Sequence, residues 1–112
     1  MLLVDAANVV GSRPDGWWRD RAGAAARLVD RLARLEGPVV VVLEGTARAG
    51  AEEGERDGVA VRHASGEGDD LLAELCAPGV VLVTADRALR ERAHKCGAHV
   101  EGPGWLLDQI DY

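Results

Sequence analysis

The chain contains no phenylalanine, and its aromatic residues are limited to three Trp and one Tyr among 112 residues. Any core it forms must be aliphatic, packed from the abundant Val, Leu and Ala. Cysteine is scarce too: Cys76 and Cys96 show no Cys-x-x-Cys spacing and have no cluster of histidines beside them. That argues against a structural zinc site and fits reduced thiols in a cytoplasmic protein. Long apolar runs are missing, because Leu2-Leu3-Val4 is interrupted by Asp5 and again by Asn8, too early for a signal peptide or a membrane span. There is no internal repeat, no low-complexity linker and no Gly-x-x-x-x-Gly-Lys-Ser/Thr phosphate loop. A single domain over residues 1–112 is expected, long enough to bury roughly 65% of its unfolded surface.

Positive charge is in deficit: the formal net charge is −6, within 29% charged and 47% apolar residues. Such a surface repels a polyanion unless cations neutralise some acids or basic residues cluster locally.

Along the chain, short apolar runs alternate with helical periodicities, the pattern of βαβ units and a mostly parallel sheet. Leu2 to Val4 is the first strand, and a loop from Asn8 to Gly16 follows, carrying Gly11, Pro14 and Gly16. Trp18, Ala22, Ala25, Val29, Leu32 and Leu35 then recur at helical steps, with Asp15 as the expected N-cap and Gly37-Pro38 as the stop. Val39 to Leu43 reads as a central strand covered on both faces. Residues 45–58 show no strong period, open to a frayed helix or a loop. Further strands are expected at Val59 to Arg62, Val80 to Val83 and His99-Val100, with helices over Asp69 to Cys76, Arg87 to Cys96 and Trp105 to Ile110.

In that arrangement Asp5 closes the first strand, Glu44 follows the second, Asp69 opens a helix and Asp86 follows Val80 to Val83. Open α/β sheets place their working crevice beyond the carboxyl ends of the strands, so these acids can converge on one divalent ion. Carboxylate oxygens suit Mg²⁺ or Mn²⁺. Taken singly, Asp69 and Asp86 also read as helix N-caps, and Asp70 as a first-turn acid favoured by the helix dipole. Asp5 has no cap to make that the following sequence clearly requires. Trp18 lies on the apolar stripe, which leaves Trp17 to stack on an unpaired base or meet a partner. His63, His94 and His99 are scattered, and a solvated surface role is expected for them.

Three segments carry a family resemblance: Val4-Asp5-Ala6-Ala7-Asn8-Val9-Val10, Gly66-Glu67-Gly68-Asp69-Asp70-Leu71-Leu72 and Val83-Thr84-Ala85-Asp86-Arg87-Ala88-Leu89, followed by Gly97-Ala98-His99-Val100. Together they resemble the PIN-like nuclease superfamily, and within it NYN domains of the bacterial YacP-like kind. The chain differs from many of these in having Ala88 where a second acid often follows the strand-end Asp. The resemblance implies a Rossmann-like three-layer α/β/α sandwich and a metal-dependent endoribonuclease. It implies Mg²⁺ or Mn²⁺ held by Asp5, Asp69 and Asp86, with Glu44 orienting the attacking water. Asn8 is suited to bond a phosphate oxygen or to pin Asp5. Ser12, Arg13 and Arg19 on one side and Arg87 and Arg90 on the other would grip phosphates of single-stranded RNA or structured loops. A homodimer is one way for so small a chain to complete an RNA groove.

Three alternatives follow from the same residues. A receiver-like phosphoacceptor domain is excluded by its chemistry, since Asp5 stands alone, no Asp ends Val59 to Arg62, and Gly102 precedes Pro103. A non-catalytic PIN-like domain that binds RNA or protein accords with the missing extra acid and the negative charge. An acidic site could also hydrolyse small nucleotides.

Overall fold

A computed structural model describes residues 1–110 and shows six strands in one sheet, ordered β3-β4-β2-β1-β5-β6. The strands are β1 (Leu2–Asp5), β2 (Val39–Leu43), β3 (Gly54–Arg56), β4 (Val59–His63), β5 (Val81–Val83) and β6 (His99–Glu101). All neighbours pair in parallel except β3, which runs antiparallel to β4 at the edge. The helices are α1 (Ala6–Gly11), α2 (Arg21–Leu32), α3 (Asp69–Leu75), α4 (Arg87–Lys95) and α5 (Pro103–Ile110).

Side chains on a strand alternate between faces, and the core divides accordingly. Val4, Val39, Val41, Leu43 and Val83 point to the side packed by α1, α2 and α5. Leu3, Val42 and Leu82 point to the side packed by α3 and α4. The result is the expected α/β/α sandwich, with apolar central strands covered on both faces. The chain runs outward from β1 through β2 to β4 and then crosses to β5 on the other side of β1. The order reverses at β1, so the crevice lies beyond the carboxyl ends of β1 and β5.

Four local expectations are corrected. The loop drawn from Asn8 is occupied at its start by α1, too short to show a period and held instead by buried Val9 and Val10. The N-cap of α2 is Asp20, whose carboxylate accepts from Gly23 N at 2.8 Å, and not Asp15. The helix therefore begins three residues after Trp18, which sits in a 3₁₀ turn (Trp17–Arg19), and Trp18 is 54% exposed while Trp17 packs against the core. The undecided stretch contains a 3₁₀ segment (Gly45–Gly50) and the strand β3. β3 is joined to β4 by Asp57-Gly58, both with positive φ, as a two-residue type I′ hairpin requires.

Candidate functional site

Asp5 is 4% exposed at the end of β1, and it caps α1 after all: its Oδ1 accepts from Asn8 N at 3.4 Å. Its Oδ2 accepts from Asn8 Nδ2 and from Thr84 Oγ1, both at 2.8 Å. The absence of a cap for Asp5 is thus overturned, because α1 was not visible in the sequence. Asn8 pins Asp5, and its Oδ1 accepts from Ala85 N at 3.2 Å, so the side chain ties β1 to the segment leaving β5.

Thr84 is fully buried and joins two of the acids. Its hydroxyl donates to Asp5 and accepts from Asp86 N at 3.2 Å. Asp86 in turn caps α4, its Oδ1 accepting from Leu89 N at 3.0 Å. Glu44, after β2, accepts from Gly68 N at 2.7 Å through Oε2 and so holds the start of α3. Gly68 occupies the N-cap position of α3, so Asp69 is not the cap.

Electrostatics show that these acids face one another. Burial pushes the Asp5 carboxyl above the ordinary carboxylate range, opposed by the bonds from Thr84 and Asn8 and reinforced by the charge of Asp69. Asp69 is also raised, first by burial and then by Asp86, Glu44 and Glu67, with Arg92 pulling it down. Asp70 lines the same cavity as Asp69 but is exposed there, paired with Arg92 at 3.1 Å. The structure thus places Asp5, Glu44, Asp69 and Asp86 near one another at the carboxyl edge of the sheet, with Asp69 and Glu44 lining different cavities. It adds Glu67, which was quoted only within a motif, and Thr84, detectable as a polar residue closing an apolar strand.

The expected phosphate-gripping residues are less concentrated. The Ser12 hydroxyl donates to Val9 O at 2.7 Å at the far end of α1, about 10 Å along the helix from Asp5. Arg13 pairs with Asp15 at 3.6 Å, and Arg19 lies over the Trp18 ring at 5.8 Å. Arg87 and Arg90 are exposed on the first turn of α4, beside Asp86.

Glu67 stands between two cavities. One of about 650 Å³ is lined by Arg62, His63, Asp69 and Arg92. The other, about 340 Å³, is walled by Trp17 and Arg21 and reaches Glu44. A third, about 520 Å³ between α2 and β3, is lined by none of the four acids.

The donors fit a hard divalent cation in kind, all being oxygens of mutually repelling carboxylates. Among the described residues no three of His, Cys, Asp and Glu form a ready-made cage. Mg²⁺ usually keeps several waters and binds through one or two carboxylates.

Removal of the Thr84 hydroxyl tests the network directly. Thr84→Val leaves Asp86 N without its acceptor and Asp5 with one donor fewer, and is expected to cost about 1–2 kcal/mol in urea denaturation. The Asp5 carboxyl should titrate still higher by NMR, since the Thr84 bond lowers it. Thr84→Ser should restore most of both.

No protein-family profile matches the chain, and no curated protein does. Among solved structures it is similar to a crystal structure of a point mutant of Rae1 (YacP) from Bacillus subtilis. The TM-score is 0.78 at 19% identity, covering 98% of this chain and 74% of that one. This likeness establishes a YacP-like fold. No helix among the described residues is long and apolar enough to cross a membrane.

Proposed function

We propose that the chain is a YacP-like, metal-dependent endoribonuclease of the PIN-like kind, acting at the crevice between β1 and β5. The observation that supports this reading is the placement of Asp5, Glu44, Asp69 and Asp86 on four separate segments at one edge of the sheet, where Asp69 is pushed upward first by burial and then by the charges of Asp86, Glu44 and Glu67. Backbone anchoring accounts for Asp5, Glu44 and Asp86 singly, but gives no reason for the half-buried Asp69 among them, which caps nothing. The likeness to Rae1 (YacP) supports the fold on which the reading is built.

Asp5, Asp69 and Asp86 would hold the ion, Mg²⁺ or Mn²⁺. That ion would supply Lewis acidity toward the phosphodiester and a bound water of lowered pKa. The protein's own groups do the rest. Thr84 and Asn8 fix the orientation of Asp5, as outer partners of a metal ligand do. Glu44 is anchored through one oxygen to Gly68 N, which leaves its other oxygen to orient a water. Arg87 and Arg90 supply positive charge beside Asp86 for the strand that is cut.

The test is cleavage of fluorescent single-stranded and hairpin RNAs with Mn²⁺, run against nucleoside triphosphates and against Asp86→Asn. Asn caps a helix as well as Asp does, so this variant keeps α4 while losing the charge. RNA cleavage that falls about 10²-fold or more in Asp86→Asn is expected. Hydrolysis of triphosphates with RNA left intact would refute the ribonuclease reading.

A further inference from the structure

The 340 Å³ cavity lies between α1, the 3₁₀ turn carrying Trp17, and the segment after β2, and Ala7, Val10, Trp17, Arg21, Thr46 and Glu67 are on its walls. Its size falls within the range of small-ligand sites, roughly 300–1,000 Å³. Three features make it more than a gap between elements. Trp17 is set firmly, its ring edge-on to Trp18 at 6.0 Å and packed over Gly11, where an added Cβ would lie 3.7 Å from it. The guanidinium of Arg21 lies over the Trp17 ring at 5.0 Å, covering that face of the ring, and both residues line the cavity. Finally, Glu44 and Glu67 line the cavity, and Glu44 reaches from it to Gly68 N, one residue before Asp69.

We infer that this cavity takes one unpaired base of the RNA, the base of a nucleotide beside the phosphate at the acids; this rests on the ribonuclease reading above. Unstacked bases are held on aromatic rings and on guanidinium planes, and the Arg21 guanidinium, backed by the Trp17 ring, offers such a plane. The surrounding Ala and Val side chains accept the apolar faces of a base, while Thr46 and Glu67 offer polar atoms to its edge. A paired base has its faces covered by neighbours in the stack, so the cavity selects single-stranded or looped RNA. A basic peptide side chain would be drawn to the carboxylates but has little to place against the apolar walls, whereas a base has apolar faces for those walls and comes with a phosphate that a cation at the acids attracts.

The test is fluorescence anisotropy with short single-stranded RNAs, each carrying one abasic position, with Ca²⁺ in place of Mg²⁺ so that the strands stay intact. One abasic position is expected to weaken binding about tenfold, the others much less. Ala7→Met, at an exposed position on α1, fills the cavity. It should bind intact RNA about tenfold more weakly and lose its sensitivity to that abasic position, with Mn²⁺ affinity by calorimetry unchanged. Arg21→Met on the exposed rim repeats the comparison if Ala7→Met disturbs α1. Uniform tolerance of abasic positions, or equal sensitivity in the variants and the wild type, would overturn the base-pocket inference while leaving acid-dependent cleavage in place. Failure to bind any RNA would remove both.

Discussion

In the Asp69→Asn variant, metal-dependent cleavage should fall by about 10²–10³-fold while the melting temperature in chelator rises by roughly 2–4 °C. The two effects share one cause. Asp69 is half-buried and faces Asp86, Glu44 and Glu67, so ionising it in the folded chain is unfavourable and its pKa is raised. Between the unfolded carboxylate range, near 4, and that raised value, the folded chain binds more protons than the unfolded one. Stability contributed by this group therefore falls as pH rises through the window, and above it the full penalty is present. Asn cannot ionise and removes the penalty at neutral pH. Solvent screening at a partly exposed site keeps the gain to about 0.5 kcal/mol. Asp5, also raised, adds to the same slope. Adding Mn²⁺ to the wild type at pH 7 should reverse the sign, stabilising by about 2.7 kcal/mol at one hundred times the dissociation constant, and Asp69→Asn should gain much less. Thermal scans with and without the ion decide the matter. Equal melting temperatures in chelator and equal responses to Mn²⁺ would mean that Asp69 is an ordinary first-turn acid.

The mostly parallel sheet and the two-sided burial of β2 were within reach of the sequence because apolar runs and helical periods are strong signals. Val39-Val-Val-Val-Leu43 can hardly be anything other than a covered central strand. What the sequence hid was local. Six residues of α1 are too few to show a period, and with them went the capping role of Asp5. Asp15 and Asp20 are equally good caps on paper, and choosing the wrong one rotated the tryptophans, placing Trp18 inside and Trp17 outside when the structure has the reverse. β3 had a signal in Asp57-Gly58, but its three exposed residues carry no alternation. Asp69 and Asp70 differ by about 100° around a helix, which composition cannot resolve; the direction of α3 turns the first toward the acids and the second toward Arg92. The acids could be placed together in a reading of the sequence only because parallel strands deliver their ends to one edge.

One property of the crevice could not have been read from any residue alone: every acid that would serve an ion also secures the backbone or lies beside one that does. Asp5 caps α1, Asp86 caps α4 and Glu44 holds the start of α3. Only Asp69, the most strongly repelled of them by number of neighbours, has no cap to make. Substitutions at the first three must therefore be chosen to keep the cap if they are to report on chemistry.

Asp5 shows how far that separation can be carried. Asp5→Ala leaves the Thr84 hydroxyl, the Asn8 side-chain amide and the Asn8 backbone N–H without their acceptor in a buried corner of the sheet. It is expected to cost about 2–3 kcal/mol in urea denaturation, with loss of cleavage as a consequence of a weakened fold as much as of a lost ligand. Asp5→Asn keeps one carbonyl oxygen where Thr84 and Asn8 Nδ2 donate, and presents its amide only to the longest of the three contacts, at 3.4 Å. Its stability should lie within about 1 kcal/mol of wild type, since the poorer hydrogen bond is offset by removal of a charge that burial already disfavours. Cleavage should nevertheless fall by about 10³-fold, with Mn²⁺ affinity reduced alongside it. Calorimetry, urea melts and the RNA assay on the same preparations separate the contributions. A folded Asp5→Asn that cleaves at the wild-type rate would leave Asp5 as the cap of α1 alone, and the chemistry would then have to be built from Glu44, Asp69 and Asp86.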